Sequence, residues 1–312
     1  METTTTGLRH DLLLYADVDS MLAVALPFLH EGLDAGEPAL VATPGPQLAL
    51  IRDALGPAGD GMVRWTDMTE AGRNPGRILP WVLQAFADRH PDRRVRIIGE
   101  PIWPGRTVEE YPACAQLEAA INWAFAGRDV SVLCPYDAGR LDPGVLAEAR
   151  CTHPRLVDRA GTRRSAGYAP SAVAERHNKP LPGPAERVAA LRYDLDSLPL
   201  LRRFVADHAA GTGLDDDRVA DLQIAVTELA TNSVAHAGGA GTVQLWRTAR
   251  HLICEIHDDG WLSDPLAGRL APAQDGIGGR GLVIVHALCD LVLVHTTATG
   301  TTVRLHMLRE TR

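Results

Sequence analysis

Two different patterns of apolar and polar residues divide the chain. In residues 11–151, short apolar runs alternate with stretches in which apolar residues recur every three or four positions. The short runs favour buried strands, and the three-to-four spacing favours amphipathic helices. The predicted strands are residues 12–15, 39–42, 62–65, 95–98 and 130–133. Strands that alternate with helices predict an α/β domain with a mostly parallel sheet, which we assign to residues 1–154.

A different order of elements is predicted for residues 191–312. Strands are expected at residues 191–195, 242–247, 252–257, 291–295 and 301–307. Helices are expected from Ser197 to about His208, from Asp215 to near Gly238, and over residues 282–288. Ser197 is expected to be an N-terminal cap, and residues 215–217 to be the acidic opening of the long helix. Hairpins beside helices predict an α+β sandwich. The intervening residues 155–190 are rich in arginine, proline and glycine and are predicted to be a linker.

Composition and charge argue against several classes of protein. The chain has 312 residues and a net charge of −8, which disfavours direct binding of nucleic acid. No apolar run is long enough for a membrane span, and the N-terminus lacks the pattern of a signal peptide, so a cytoplasmic location is expected. Lys179 is the only lysine, which excludes a Walker A loop, a protein-kinase fold and Schiff-base chemistry. The five cysteines form no CxxC pair and are expected to be buried thiols.

The long helix of the second half carries a stripe of polar residues. Glu228, Asn232 and His236 are spaced by four and therefore share one helix face. About twenty residues later a predicted strand ends in Asp258-Asp259-Gly260, and a glycine-rich loop, residues 276–281, precedes the next helix. A carboxylate at a strand end can accept a hydrogen bond from an exocyclic amine, and glycines at a helix N-terminus let backbone N–H groups meet phosphate.

These residues, in this order, resemble the nucleotide-binding domain of the GHKL ATPases, over roughly residues 191–308. The resemblance implies ATP and Mg²⁺ as cofactors, with Glu228 as general base, Asn232 as Mg²⁺ ligand and Asp258 as the acid that reads adenine. The remaining residues that the resemblance assigns to nucleotide binding are His236, Gly260, Gly276, Gly278, Gly279, Arg280, Gly281 and Thr301. Gly278, Gly279 and Gly281 would form the lid over the phosphates, and Thr301 would contact adenine.

Within that superfamily the short lid and residues 264–269 look like the RsbW-type branch. This implies an anti-sigma factor that is also a serine kinase for an anti-anti-sigma protein of the STAS type, with homodimerisation usual in the branch. One alternative is a binding module that sequesters a sigma factor or its antagonist without phosphate transfer. Leu262, where the family often has a second glycine, favours that alternative. A second alternative is an atypical histidine kinase, which would need a phospho-accepting histidine such as His177.

The first domain has chemistry-bearing residues at its predicted strand ends. Glu100 and Asp137 end strands, and the carboxyl ends of strands are where α/β sheets bind ligands. The segments around Glu100 and Asp137, together with residues 28–38 and 74–77, look like the MEDS sensory domain. That domain is distantly similar to RecA-like ATPases without their phosphate loop. The resemblance implies sensing, with a small-molecule ligand as a possible partner. The pocket candidates are His10, Glu100, Trp103, Glu118, Cys134, Tyr136, Asp137 and His153. Of these, Glu118 is expected to be solvated on a helix over residues 109–125, and Cys134 to be a buried strand thiol rather than a redox sensor.

Overall fold

The computed structural model describes residues 7–184, 188–264, 266–270 and 280–310. The chain divides into two compact units, Met1–His177 and Asn178–Arg312. Each unit has its own sheet.

The first unit is built on a seven-stranded sheet with the order β3-β2-β4-β5-β1-β6-β7. Its strands are β1 (Arg9–Tyr15), β2 (Ala39–Thr43), β3 (Val63–Asp67), β4 (Val95–Gly99), β5 (Val130–Asp137), β6 (Arg155–Asp158) and β7 (Gly161–Arg164). All pairs are parallel except β6 with β7. Every residue of β2, β4 and β5 is buried, as in a sheet covered on both faces. The predicted α/β fold is confirmed.

Helices cover this sheet. They are α1 (Val18–Asp34), α2 (Gly45–Leu55), α3 (Met68–Ala71), α4 (Pro75–Arg77), α5 (Ala85–Ala87), α6 (Tyr111–Ala124), α7 (Pro143–Thr152) and α8 (Pro170–Arg176). A π-helical stretch, Ile78–Gln84, joins α4 to α5. At the turn after β1, the Asp17 side chain accepts a hydrogen bond from Ser20 N–H and caps α1. A carboxylate therefore occupies the helix N-terminus at which a phosphate loop would hold an anion, in agreement with the missing Walker A motif.

Within the predicted linker, residues 155–190, the segment 155–176 contains two strands and a helix. Its first part forms the β6–β7 hairpin, whose first strand pairs with β1 through Asp11 and Arg155. Arg155 also makes a two-pronged ion pair with the buried Asp11 carboxylate. The short helix α8 buries Val173 completely. The arginines and prolines that indicated a linker are thus used in ion pairs and a helix start, and the boundary between units falls at His177 rather than at residues 154 or 190.

The second unit is an antiparallel sheet with the strand order β11-β12-β10-β9-β8, together with three helices among its described residues. The strands are β8 (Ala189–Asp194), β9 (Ala240–Arg247), β10 (His251–Asp258), β11 (Leu291–Thr297) and β12 (Gly300–Leu308). The helices are α9 (Leu198–Ala209), α10 (Asp216–His236) and α11 (Arg280–Leu288). Apolar residues of all three helices and of the sheet form one core, which confirms the predicted α+β sandwich.

The caps of these helices agree only partly with expectation. The acidic opening of α10 is found as predicted, and Asp215 also accepts a hydrogen bond from Arg218 N–H and so caps the helix. Ser197 precedes α9, but its hydroxyl bonds Asp194 rather than a helix N–H group. Four of the five cysteines are buried, and Cys151 is half-buried. Within the described ranges, no helix combines the length and apolar character that a membrane span requires.

Candidate functional site

Helix α10 positions the polar stripe of the second unit. Its acidic first turn matches the positive end of the helix dipole, and its apolar residues face the core. Asn232 and His236 are exposed to solvent and both line a cavity of about 550 Å³. Glu228 lies one turn earlier, half-buried beside the start of α11. The stripe therefore leads along the helix towards the cavity.

The cavity has mostly apolar walls with a few polar groups. Its polar side chains include Asn232, His236, Asp258, Asp264 and Thr301. The apolar part of its lining includes Leu229, Ile256, Trp261, Leu262, Leu282 and Val303. A largely apolar cavity with a few fixed polar groups is the usual form of a small-molecule site.

Asp258, the last residue of β10, is held in a fixed orientation by two donors. The Ser233 hydroxyl donates to its Oδ2 at 2.6 Å, and Gly260 N–H donates to its Oδ1 at 2.9 Å. The buried Tyr193 hydroxyl in turn donates to Ser233 Oγ at 3.0 Å. Burial raises the pKa of Tyr193 to about 12, so it remains a donor. The carboxylate keeps lone pairs free to accept a further hydrogen bond from a ligand.

Thr301, the second residue of β12, belongs to a chain of hydrogen bonds at the same wall. Its hydroxyl donates to Gly260 O at 2.8 Å. The Thr296 and Thr301 hydroxyl oxygens are 2.8 Å apart, and Leu262 N–H donates to Thr296 Oγ1 at 3.0 Å. This chain joins β11 and β12 to the loop that follows β10, and so fixes the backbone beside Asp258.

Two glycines stand where a side chain would not fit. A Cβ atom on Gly260 would lie 2.5 Å from the Ala237 Cβ atom. A Cβ atom on Gly281 would lie 2.9 Å from Glu228 Oε2 and 3.1 Å from Asn232 Nδ2. The backbone of α11 thus approaches Glu228 and Asn232 closely, and all three residues meet at one point.

The structure brings together most of the residues predicted for nucleotide binding. Asn232, His236, Asp258, Gly260, Gly281 and Thr301 line the one cavity. Arg280 is exposed at the first position of α11, and Gly276, Gly278 and Gly279 lie outside the described residues. Sequence reasoning missed Tyr193, Ser233 and Thr296. Ser233 directly follows Asn232 and is the one of these that its position on the stripe helix could have indicated.

His177, the candidate phospho-acceptor, lies in the first unit. Its Nε2 is 2.7 Å from Glu148 Oε2, and its ring packs edge-on against Tyr111 with centroids 5.3 Å apart. Its side chain is only 10% exposed. A histidine held in this way is not displayed for phosphorylation.

In the first unit the predicted pocket residues separate into two groups and one outlier. At the carboxyl ends of β1, β4 and β5 lie Tyr15, Glu100 and Asp137, and the Tyr15 hydroxyl donates to Glu100 Oε1 at 3.3 Å. Glu100 is fully buried, and burial raises its pKa to about 8, with the nearby Asp137 adding to the rise and the Tyr15 hydrogen bond opposing it. Trp103 stacks instead on Arg106, with the guanidinium 3.7 Å from the ring centroid.

The second group is a buried cluster of His10, Glu118, Cys134 and His153, which we call the His–Glu–Cys cluster. One possible ligand atom from each of these residues lies within 4.8 Å of the others. Glu118 is 1% exposed, so the expectation of a solvated carboxylate is wrong, because its helix face packs on the sheet rather than facing water. Cys134 is completely buried, as predicted, and burial raises the pKa of its thiol. Tyr136, two residues further along β5, packs its ring edge-on against His153.

Comparison with known proteins gives a family match for each half of the chain. Residues 9–154 match the family model of MEDS, the methanogen/methylotroph, DcmR sensory domain. Residues 191–307 match the family model of the histidine kinase-like ATPase domain. The two matches fall on different compact units, so each unit is similar to a different family.

Two solved structures are similar to parts of the chain. The RsbU and RsbW domains of Rv1364c from Mycobacterium tuberculosis match with 19% identity over 39% of this chain and 33% of that chain, at a TM-score of 0.30. The histidine kinase AdeS of Acinetobacter baumannii matches with 11% identity over 40% of this chain and 70% of that chain, at a TM-score of 0.25. The chain spans about a third of the length of the first of these structures. No curated protein matches it.

Proposed function

We propose that this protein is a signalling regulator whose ATPase domain binds ATP with Mg²⁺ and acts as an anti-sigma factor and serine kinase, under the control of the MEDS domain. The proposed substrate of the kinase is an anti-anti-sigma protein of the STAS type. The observation that carries the proposal is the cavity at the end of β10, where an oriented carboxylate, Asp258, faces a space bounded by Asn232 and His236 of α10.

The residues present fit ATP. Asp258 has free acceptor capacity, as adenine recognition through an exocyclic amine requires. The apolar walls suit the faces of a base, and the absence of a side chain at Gly281 leaves the backbone of α11 close to Asn232. The Asn232 amide oxygen is of the type that binds Mg²⁺. When bound, Mg²⁺ supplies positive charge that stabilises transfer of the γ-phosphate.

The role of this chain's own residues in transfer would then be positioning and proton acceptance. Glu228 lies beside Asn232 and Gly281 and is only half-buried, so its carboxylate is accessible to an incoming hydroxyl. We assign it the acceptance of the serine hydroxyl proton. The Tyr193–Ser233–Asp258 hydrogen bonds would keep the base end of the nucleotide in place.

Titration calorimetry with Mg-ATP tests the nucleotide site. We expect binding to the wild type and a loss of roughly tenfold or more in affinity for Asp258→Asn and Asn232→Ala, because each removes a direct contact. Thr231→Ala is the matched control, since Thr231 is an exposed neighbour of Asn232 that does not line the cavity. Absence of binding to the folded wild type would remove the kinase from the proposal.

Phosphate transfer is a separate experiment. The wild type is incubated with labelled ATP and STAS-type proteins, and we expect acid-stable phosphoserine on the partner. Glu228→Gln should bind Mg-ATP as the wild type does but transfer phosphate at least roughly a hundredfold more slowly, because the proton acceptor is lost. Equal transfer rates would show that Glu228 is not the base.

A second candidate function is a binding module that sequesters a sigma factor or its antagonist without catalysis. Leu262 favours it, because this side chain forms part of the cavity wall and its N–H is held by Thr296. A binding module predicts capture of a partner with no dependence on nucleotide. Calorimetry with Mg-ATP separates the two candidate functions. If Leu262 blocks the cavity, the wild type will not bind Mg-ATP and Leu262→Gly will bind it.

A further inference from the structure

We propose that the His–Glu–Cys cluster of the first domain is a site for one divalent transition-metal ion, with the donor set and geometry of a closed zinc site. The proposal concerns the MEDS domain alone and does not depend on the function proposed for the ATPase domain. The ligand atoms would be Nε2 of His10 and His153, Sγ of Cys134 and one carboxylate oxygen of Glu118.

The elements of the fold bring these four residues to one point beneath a helix. His10 pairs with Val132 and Leu12 pairs with Cys134, so His10 and Cys134 are two residues apart in register and face the same side of the sheet. Helix α6 carries Glu118 on that side, and His153 ends α7. Three of the residues have no exposed surface, and Glu118 has 1%.

Three of the distances between donor atoms match a tetrahedral site, and all four atoms lie within 4.8 Å of one another. Glu118 Oε2 is 3.3 Å from His10 Nε2 and 3.3 Å from His153 Nε2. Cys134 Sγ is 3.5 Å from His10 Nε2. Zinc bonds of about 2.0–2.3 Å arranged tetrahedrally place their donors about 3.3–3.6 Å apart. The protein therefore holds Glu118 Oε2 and Cys134 Sγ at the spacing from the histidine nitrogens that the ion needs.

Hydrogen bonds on the far side of each imidazole assign its tautomer. His10 Nδ1 is 3.1 Å from Asn122 Oδ1, and His153 Nδ1 is 2.7 Å from Ala149 O. The Asn122 amide cannot be reversed, because its Nδ2 donates to the carbonyl oxygen of Thr152 at 2.8 Å. Both Nδ1 atoms thus face acceptors and carry the proton, and both Nε2 atoms present lone pairs to the centre. This is the arrangement that supports metal-binding histidines.

The centre of the cluster lacks a positive charge when no ion is bound. Two imidazole lone pairs point at a carboxylate, so acceptors face acceptors. Among the described residues, neither oxygen of Glu118 nor Nε2 of His153 has a hydrogen-bond partner. Unsatisfied polar atoms this deeply buried are costly. A divalent cation would satisfy His153 Nε2 and the coordinating oxygen of Glu118, and with the Cys134 thiolate and the Glu118 carboxylate it would form a centre with no net charge.

The chemistry of the donors selects the ion. Two imidazoles, one thiolate and one carboxylate in tetrahedral array favour Zn²⁺, whereas Mg²⁺ and Ca²⁺ prefer oxygen ligands. All four positions would be filled by the protein, so the site would be structural and would join β1, β5, α6 and the end of α7. The competing arrangement has no metal and two imidazolium rings that share Glu118 Oε2.

Metal content of the full chain tests the proposal. Protein is produced in zinc-supplemented cells, purified without chelators and analysed by plasma mass spectrometry. We expect about one zinc per chain in the wild type and less than roughly a tenth of that in Cys134→Ser and Glu118→Gln, since losing a ligand lowers affinity by at least the ~10–100-fold typical of second-shell changes. Cys114→Ser is the matched control, because Cys114, which lies on α6, is a buried thiol like Cys134 but is not part of the cluster.

Cobalt substitution keeps the test decisive even where a variant fails to fold. Wild type produced in minimal medium with cobalt should show a thiolate-to-cobalt charge-transfer band and the intense visible bands of tetrahedral cobalt. The charge-transfer band should persist when Cys114, Cys151, Cys254 or Cys289 is replaced singly by serine. A folded wild type free of metal would overturn the proposal and support the imidazolium arrangement. Zinc or a cobalt band retained at wild-type level in Cys134→Ser would overturn it as well.

Discussion

Glu100 offers a direct test of the electrostatics at the carboxyl edge of the first sheet. Its carboxyl group is fully buried, one oxygen accepts a hydrogen bond from Tyr15, and the other has no partner among the described residues. Burial therefore raises its pKa from 4.5 to about 8. Glu100→Gln replaces the carboxyl group by a neutral group of the same shape, and so fixes the side chain in the equivalent of its protonated state.

The direction in which stability changes with pH follows from proton linkage. The folded protein binds the Glu100 proton more tightly than the unfolded chain does. The resulting stabilisation is therefore complete below the pKa of Glu100 in the unfolded chain, and it is lost as the pH rises through the pKa of Glu100 in the folded protein. A tenfold difference in proton affinity is worth about 1.4 kcal/mol, so the whole contribution of Glu100 is about 5 kcal/mol. Of this, about 3.5 kcal/mol is lost between pH 5 and pH 8.

Urea denaturation of the full chain at a series of pH values between 5 and 9 measures this loss. We expect Glu100→Gln to be close to the wild type near pH 5 and more stable than it above pH 8. Glu70→Gln is the control, because Glu70 is an exposed carboxylate of the same domain, and it should follow the wild type at every pH. If Glu100→Gln and the wild type lose the same stability between pH 5 and pH 8, the Glu100 carboxyl group is ionised in the folded state and the reasoning is refuted.

Three further predictions concern the second domain. Ser233→Ala removes the donor to Asp258, and should lower the free energy of unfolding by about 1–3 kcal/mol in urea titrations and weaken Mg-ATP binding. Gly260→Ala forces a Cβ atom against the end of α10 and should cost about 1–3 kcal/mol, whereas Gly183→Ala, with open space around it, should change stability little. Burial lowers the pKa of His306 to about 3, so its neutral form stabilises the fold above pH 6.5 and that stabilisation is lost on acidification. The wild type should lose about 3 kcal/mol more than His306→Gln between pH 7 and pH 4 in denaturant titrations, and parallel curves would contradict this.

Local patterns predicted the secondary structure closely because each helix or strand repeats its apolar residues at the spacing that its geometry requires. The strand predicted at residues 130–133 is the first half of Val130–Asp137, and the helix predicted over residues 109–125 is Tyr111–Ala124. The linker prediction was wrong for residues 155–177. Arginine and proline indicate exposure in a sequence, but Arg155 is paired with Asp11, which is 144 positions away in the chain. A long-range ion pair leaves no local signal.

The residues of the cavity beside α10 illustrate the same limit. The four-residue spacing of Glu228, Asn232 and His236 determined that they share a face of one helix. That Asp258 is oriented by Ser233 depends on how β10 packs beside α10, and no spacing within the chain contains that information. The importance of Tyr193 was likewise invisible, because its partner lies forty positions further along the chain.

For this protein, the sequence alone determined the two fold classes, the lack of a Walker A motif and the helix that carries the stripe of polar residues. These depend on residue types and on contacts between near neighbours. The tertiary structure decided the rest. The sequence did not indicate which of the eight pocket candidates in the first domain lie together, whereas packing placed four of them around one buried point and Trp103 elsewhere. Burial and long-range distance set the charge state and ligand chemistry of a side chain, and both are properties of the folded chain rather than of its local sequence.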